Sequence, residues 1–264
     1  MKHLLDLETY PLDHPDSPEY GALVVSCKAR LAAEGMFDLP GFMRADVTKA
    51  AADAVKPAMA TEAFRHARKH NIYFRDAVEG LPADHPALAK VETVNHTLCA
   101  DQLGGNPVVN IYDWQPFADF LAAAMSKDAL YRMDDPMARV NVQASYSGEA
   151  LNWHFDRSEF TTTILLQSAD EGGELEYRTD LRSADNPNYE GVVSLLRGED
   201  PEVKKVKLNP GALNVFRGVN TLHRVVPVKG PKERIVAIFA FFDRPGVIMS
   251  AAEQKGFYGR AIAA

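Results

Sequence analysis

Two histidines, one aspartate and one arginine are the residues of this chain best suited to carry chemistry. His154 and Asp156 are two positions apart, His223 follows at long range, and Arg234 comes shortly after it. Two imidazoles and one carboxylate can occupy one face of an octahedral Fe(II) ion and leave three adjacent positions open. A guanidinium group can bind a carboxylate through two parallel hydrogen bonds. The ordered set therefore predicts a non-haem iron site that uses 2-oxoglutarate and O₂.

The strand pattern around these residues indicates how they could meet. His154 and Asp156 follow a strand, and extended backbone points residues two apart in the same direction. A zinc hydrolase with the same ligands stays open, because geometry rather than affinity separates these metals. Arg234 favours the oxygenase, since a hydrolytic zinc site has no general need for it. Tyr146, on the strand before the His-x-Asp turn, is predicted to donate a hydrogen bond to the co-substrate. The alternative is that its hydroxyl donates to a carbonyl of the protein instead.

The elements that must position these residues change in character near residue 135. Helical spacing predicts helices at Tyr20–Glu34, Val47–Arg68 and Pro116–Ala124. Gly35 is the expected C-cap of the first, and Asp46 is the expected N-cap of the second, which Pro57 should kink or split. Strand patterns follow at 139–146, 160–167, 203–208, 213–216, 223–228 and 235–242.

Short strands separated by turns favour a sandwich or jelly roll over a parallel α/β sheet. The predicted fold class is therefore α+β, with a helical N-terminal half packed on a β core. We expect one domain over 1–264, comprising a mainly helical part (1–135), a jelly-roll core (136–247) and a C-terminal segment (248–264). The polar stretch 178–201 interrupts the strands and is either a substrate lid or a surface excursion.

Composition limits the class of protein. The chain has 264 residues, of which 46% are hydrophobic and 25% charged, with a net charge of −7, as is ordinary for a soluble globular protein. Its basic residues form no stripe, which argues against nucleic acid as a partner. Cys27 and Cys99 are the only cysteines, so the sequence has no disulfide framework. The first residues lack the apolar core of a signal peptide, and the longest apolar run is too short to span a bilayer. We expect a cytoplasmic protein with a small-molecule substrate and no membrane partner, and a homodimer stays open.

Several segments resemble one family of enzymes. They are WHFDRSEF at 153–160, GGELEY at 172–177, PGALNVFRG at 210–218, LHRV at 222–225 and FYGR at 257–260. These segments resemble the Fe(II)/2-oxoglutarate radical halogenases and hydroxylases that act on free amino acids, the group that includes the lysine enzymes. The resemblance covers most of the chain and is densest from about residue 135 to residue 260.

The resemblance implies a cupin-like double-stranded β-helix, with iron on His154, Asp156 and His223 and 2-oxoglutarate on Arg234. In the halogenases of this group Gly replaces the carboxylate ligand and leaves room for chloride. Because this chain has Asp156, the resemblance implies a hydroxylase. No lysine-ammonium pocket is visible in the sequence, so a carboxylate with a neutral side chain is the expected substrate. Arg157, Arg75 and Trp153 are the predicted substrate contacts, with exposed surface charge as the alternative for each Arg.

Other functions remain open at this point. The same iron core performs desaturation, cyclisation or halogenation in other settings. A nucleic-acid or protein demethylase would need a basic groove or a peptide-binding edge, and the charge distribution gives no sign of the first. A non-catalytic jelly-roll binding module is the alternative from another class, and iron-dependent succinate release would exclude it.

Overall fold

The computed structural model describes residues 1–262, so the last two residues of the predicted segment 248–264 lie outside the described range. Its α-helices are α1 (Pro18–Glu34), α2 (Ala45–Thr61), α3 (Pro107–Asp113), α4 (Gln115–Ala124), α5 (Tyr189–Leu196) and α6 (Ala251–Tyr258). The prediction for α1 is confirmed, including its end at Gly35, whose φ of 72° favours glycine. The prediction for α4 is confirmed as well.

The strands form two main antiparallel sheets and one short hairpin. They are β1 (Met36–Leu39), β2 (Phe64–His70), β3 (Val91–Cys99), β4 (Tyr131–Arg132), β5 (Val140–Ser145), β6 (Leu151–His154), β7 (Thr161–Gln167), β8 (Leu175–Arg178), β9 (Lys204–Val206), β10 (Leu213–Phe216), β11 (Leu222–Val225), β12 (Arg234–Phe239) and β13 (Phe241–Phe242). The larger sheet has the order β1-β10-β7-β12-β5-β3-β2, and the smaller sheet has the order β6-β11-β8-β9. β13 pairs with β4.

The two faces of the larger sheet have different partners. Val140, Val142 and Ala144 of β5 pack into the main hydrophobic core together with side chains of α1 to α4. The alternate residues of β5 instead line a cavity that the smaller sheet helps to enclose. Two sheets with a cavity between them and helices on one outer face make the predicted α+β jelly roll, and that prediction is confirmed.

One predicted helix, Val47–Arg68, is wrong in its last seven residues. α2 ends at Thr61, and residues 64–70 form β2, which pairs with β3 along its whole length. Side chains of β2 alternate between partly buried and exposed, which is the two-residue period of a strand. Pairing with β3 stabilises this strand in place of the predicted helix. The N-cap is Arg44 rather than Asp46, and α2 continues through Pro57 to its end. The N-terminal half therefore supplies three strands, β1 to β3, to the larger sheet.

The stretch 178–201 is folded against the body of the protein. It contains α5, whose Val192, Val193 and Leu195 are buried. Val192 and Leu195 belong to a second apolar cluster with Ile72 and Phe155. No residue of this stretch lines the large cavity, so these side chains support the strand that carries His154 rather than cover the opening.

Within residues 1–262, no helix combines the length and the apolar character required to cross a bilayer.

Candidate active site

The end of β6 and the start of β11 bring His154, Asp156 and His223 together. The two strands are paired so that His223 lies opposite His154, and the two rings are 4.3 Å apart between centroids. Asp156 Oδ1 lies 3.3 Å from His154 Nε2 and 3.5 Å from His223 Nε2. One ligand atom from each residue lies within 4.8 Å of the others, so this cluster could hold a metal ion.

Both imidazoles are oriented by the backbone. The Nδ1 atom of His154 is 2.7 Å from the carbonyl of Asn152, and that of His223 is 3.0 Å from the carbonyl of Thr221. A carbonyl can only accept, so each Nδ1 carries the hydrogen and each Nε2 has a free lone pair for a metal. Burial lowers the pKa of His223 to about 4, which keeps its ring neutral at neutral pH.

The third ligand is held through its other oxygen. The Thr161 hydroxyl donates a 2.6 Å hydrogen bond to Asp156 Oδ2, which leaves Oδ1 facing the histidines. Burial opposes ionisation of Asp156, yet the two histidines and the Thr161 hydroxyl together hold its pKa below the usual value. Gly218 packs against this carboxylate so closely that a Cβ there would lie 2.1 Å from Oδ2.

Arg234 begins β12 and points into the same cavity. Its Nε is buried and has no hydrogen-bond partner within residues 1–262. Gly173 lies against its stem, and a Cβ at that glycine would be 2.9 Å from Arg234 Cδ. Burial lowers the pKa of Arg234 to about 10, so the guanidinium is still charged at neutral pH. A cation whose buried Nε donor is unused is suited to an anionic ligand.

The cavity that joins these groups has a volume of about 540 Å³. Its lining includes the triad His154, Asp156 and His223 as well as Arg234, Thr161 and Gln143. This volume falls in the range of small-molecule sites, roughly 300 to 1,000 Å³. The arrangement can bind a metal ion and an anion side by side and still leave space for a further small molecule.

Sequence reasoning missed one wall of this cavity, formed by β2 and the turn after it. Arg68 and His70 line it from β2, and Phe74 lines it from the turn. The Phe74 ring stacks on His70 at 4.4 Å and lies edge-on to His154 at 6.0 Å. Asn71 holds this turn by accepting hydrogen bonds from two amides, those of Tyr73 and Arg75. The two-residue alternation of Phe64, His66, Arg68 and His70 was the signal available in the sequence.

Tyr146 and Trp153 do not reach the cavity. Tyr146 packs against the main core and lies edge-on to His96 at 4.8 Å, because side chains alternate along β5 and the residues after it. Trp153 packs with the second apolar cluster, and the Arg224 guanidinium lies 4.8 Å from its ring. These positions correct the predicted co-substrate contact of Tyr146 and the predicted substrate contact of Trp153.

The two predicted arginine clamps differ in position. Arg157 is exposed but contributes to the cavity lining near its opening. Arg75 is exposed and does not line the cavity, and its backbone rather than its guanidinium serves the Asn71 turn. Of the sequence-predicted site residues, the cavity thus brings together His154, Asp156, His223, Arg234 and Arg157.

The chain belongs to the halogenase D family, whose family model matches residues 22–252. That match agrees with the family resemblance seen in the sequence, while the lysine-type subgroup stays a prediction. No curated protein sequence matches the chain.

Solved structures of low sequence identity share the fold. A 2OG-Fe(II) oxygenase family oxidoreductase from Burkholderia pseudomallei is 14% identical, with a TM-score of 0.51 over 85% of this chain and 92% of that one. A Pseudomonas putida prolyl-4-hydroxylase is 16% identical, with a TM-score of 0.52 over 84% and 99%. The epimerase SnoN, solved with Fe³⁺, alpha ketoglutarate and nogalamycin RO, is 14% identical, with a TM-score of 0.56 over 84% of each chain. These likenesses show the fold of the chain.

Proposed function

We propose that this protein is a non-haem Fe(II)/2-oxoglutarate-dependent hydroxylase of a small carboxylate metabolite, in the range of free amino acids and related acids. The observation that carries the proposal is the convergence of His154, Asp156 and His223 beside Arg234 in one cavity. The solved neighbours support it, since they include a 2OG-Fe(II) oxygenase, a prolyl-4-hydroxylase and an epimerase in complex with Fe³⁺ and alpha ketoglutarate.

The residues present fit the iron and its co-substrate. The two free Nε2 lone pairs and Asp156 Oδ1 make a two-histidine, one-carboxylate donor set, and such a set with open positions is typical of Fe(II) oxygenases. The unpartnered Nε of Arg234 fits the far carboxylate of 2-oxoglutarate. Iron with 2-oxoglutarate and O₂ supplies the oxidation of an unactivated C–H bond, with succinate and CO₂ as by-products.

The protein's own contribution is to bind, orient and exclude water. Thr161 holds one oxygen of Asp156, so a single oxygen is left for the metal. Phe74 and Phe155 line the cavity beside His154 and keep water from that side of the site. Asp156 supports hydroxylation over halogenation, because the halogenases that the chain resembles have Gly at this position.

The test is succinate release by protein loaded anaerobically with Fe(II) and 2-oxoglutarate and then exposed to O₂. We expect turnover that a panel of free amino acids and simple acids stimulates, with a product that gains one oxygen. His154→Ala should abolish it, while His14→Ala, a change at an exposed histidine, should not. Absence of iron-dependent succinate would refute the proposal and leave a binding module. A product that loses two hydrogens would instead indicate desaturation or cyclisation.

A further inference from the structure

One end of the cavity is almost entirely apolar, and we refer to it as the apolar lobe. Its walls come from the β4–β13 region and from α6 with the loop before it. The residues that line it are Met133, Ala240, Phe242, Met249, Phe257 and Tyr258. All six belong to one hydrophobic cluster, so this end of the cavity is an extension of a packed core.

The polar groups around the lobe are already paired. The Tyr258 hydroxyl donates a 2.9 Å hydrogen bond to Asn141. Behind the lobe, Asp135 is fully buried, and its two oxygens accept four hydrogen bonds, from the amides of Met137, Ala138 and Met249 and from the side chain of Gln254. This carboxylate therefore has no oxygen directed at a ligand.

Free acids are scarce in the rest of the cavity as well. Among the described residues, Asp156 and Glu253 are the acids that line it. Asp156 belongs to the metal cluster. Glu253 accepts hydrogen bonds from the amide and the hydroxyl of Ser250 in the capping box of α6. None of the six residues that line the lobe is acidic, so an ammonium group buried among them would lose its hydration without gaining an ion pair there.

Arg68 provides the opposite charge from the one that a basic substrate would need. It lies on the inward face of β2, whereas Arg65 and Lys69 of the same strand are exposed. Its guanidinium lies 5.1 Å from the centre of the Phe74 ring, and no acid of residues 1–262 forms an ion pair with it. A half-buried arginine in a cavity without a protein anion is suited to an anionic group of a ligand.

Arg68 and the lobe are neighbours in the cavity. His66 lies two residues before Arg68 on the same face of β2, and its ring stacks on Phe257 of the lobe at 6.2 Å. Two residues of strand span about 7 Å, so Arg68 is one such step along β2 from the residue that contacts the lobe. A ligand whose carboxylate binds Arg68 would therefore have the apolar lobe beside it for its side chain.

We propose that the cavity selects a small acid with an uncharged apolar side chain, its carboxylate on Arg68 and its side chain in the apolar lobe, and that it rejects cationic amino acids such as lysine. This inference rests on the proposed function, because it takes the metal cluster and Arg234 as occupied by iron and 2-oxoglutarate. It goes beyond that function by naming the side-chain class and the residue that holds the acid.

Calorimetric titration of the anaerobic protein, loaded with Fe(II) and 2-oxoglutarate, tests the side-chain class. The matched ligands are L-2-aminoheptanoate and L-lysine, which differ only in a terminal methyl in place of an ammonium group. We expect the apolar ligand to bind at least about 100-fold more tightly, because the ammonium would be desolvated without a partner. Equal or tighter binding of lysine would overturn the proposal.

The role of Arg68 has its own variant and control. Arg68→Met should weaken L-norleucine binding about 10- to 100-fold and leave the weak binding of L-norleucinamide, which lacks the carboxylate, unchanged. Arg65→Met, an equal change on the exposed face of the same strand, should alter neither, and circular dichroism checks that both variants fold. Equal loss for acid and amide, or no loss relative to Arg65→Met, would refute the assignment.

A second variant keeps the lobe assignment testable. Phe242→Asp places a carboxylate in the lobe and should narrow the preference for 2-aminoheptanoate over lysine at least tenfold, whereas an unchanged preference would contradict the lobe. Failure of the side-chain inference is distinguishable from failure of the proposed function. Lysine preference with intact iron-dependent succinate release refutes only the former, while absence of succinate release with every ligand refutes the latter.

Discussion

Replacement of Thr161 by Val should weaken metal binding while the fold is kept. The hydroxyl donates a 2.6 Å hydrogen bond to Asp156 Oδ2, and Val has nearly the same shape without the donor. Hydrogen bonds to charged groups contribute about 1.5 to 3 kcal/mol. The Asp156 side chain is 19% exposed, so water can replace part of the lost bond, and the lower end of that range applies. We therefore expect a loss of about 1.5 kcal/mol, or roughly tenfold in the metal dissociation constant.

The assay is an anaerobic titration with Co(II), whose visible spectrum reports ligand geometry as well as affinity. Thr163→Val is a matched control, because Thr163 lies on the same strand, lines the same cavity and is two residues away. The control should bind Co(II) like the wild type. If Thr161→Val binds Co(II) within a factor of two of the control and with the same spectrum, the hydroxyl does not position Asp156 and the reasoning is refuted.

Three further changes test the rest of the site. Arg234→Met should raise the KM for 2-oxoglutarate at least about 100-fold with unchanged Co(II) affinity, and a parallel loss of both would contradict separate roles. Gly218→Ala should weaken Co(II) binding more than Thr161→Val does, because its Cβ would lie 2.1 Å from Asp156 Oδ2; unaltered binding would show that the carboxylate has room to move. The pKa of His223, about 4, lies below the value of about 6.5 in an unfolded chain, so as the pH falls the imidazole is protonated in the unfolded state before it is protonated in the folded state. The unfolding free energy of the metal-free protein should therefore fall as the pH is lowered from about 6.5 towards 4, and urea titrations in which His223→Gln shows the same slope would refute this.

The metal-ligand residues and the strands that carry them could be predicted from the sequence because they depend on residues that are close together in the chain. The spacing of His154 and Asp156, with His223 and Arg234 at the starts of later strands, follows from extended backbone and turns that short segments encode. The helix over 18–34 and its glycine end were predictable for the same reason. The jelly roll followed from the series of short strands, and the structure agrees.

The misread elements depend on partners that are distant in sequence. The segment 64–70 follows an alanine-rich helix and carries basic residues, so local propensity extends the helix through it. Pairing with β3 makes it a strand and turns Arg68 and His70 inward. Tyr146 was placed at the co-substrate by its proximity in sequence, yet the alternation along β5 directs it into the core instead.

The amino-acid sequence alone determined which residues are available for chemistry, the class of fold and the family, because ligand types, spacing and turn chemistry are local properties of the chain. Only the tertiary structure decided which face of each strand meets the cavity, and therefore that Arg68, Phe74 and the apolar lobe surround the metal cluster while Tyr146, Trp153 and Arg75 do not. The physical reason is that a strand offers two equivalent faces, and the sheet and helices packed against it determine which of them is turned towards the cavity.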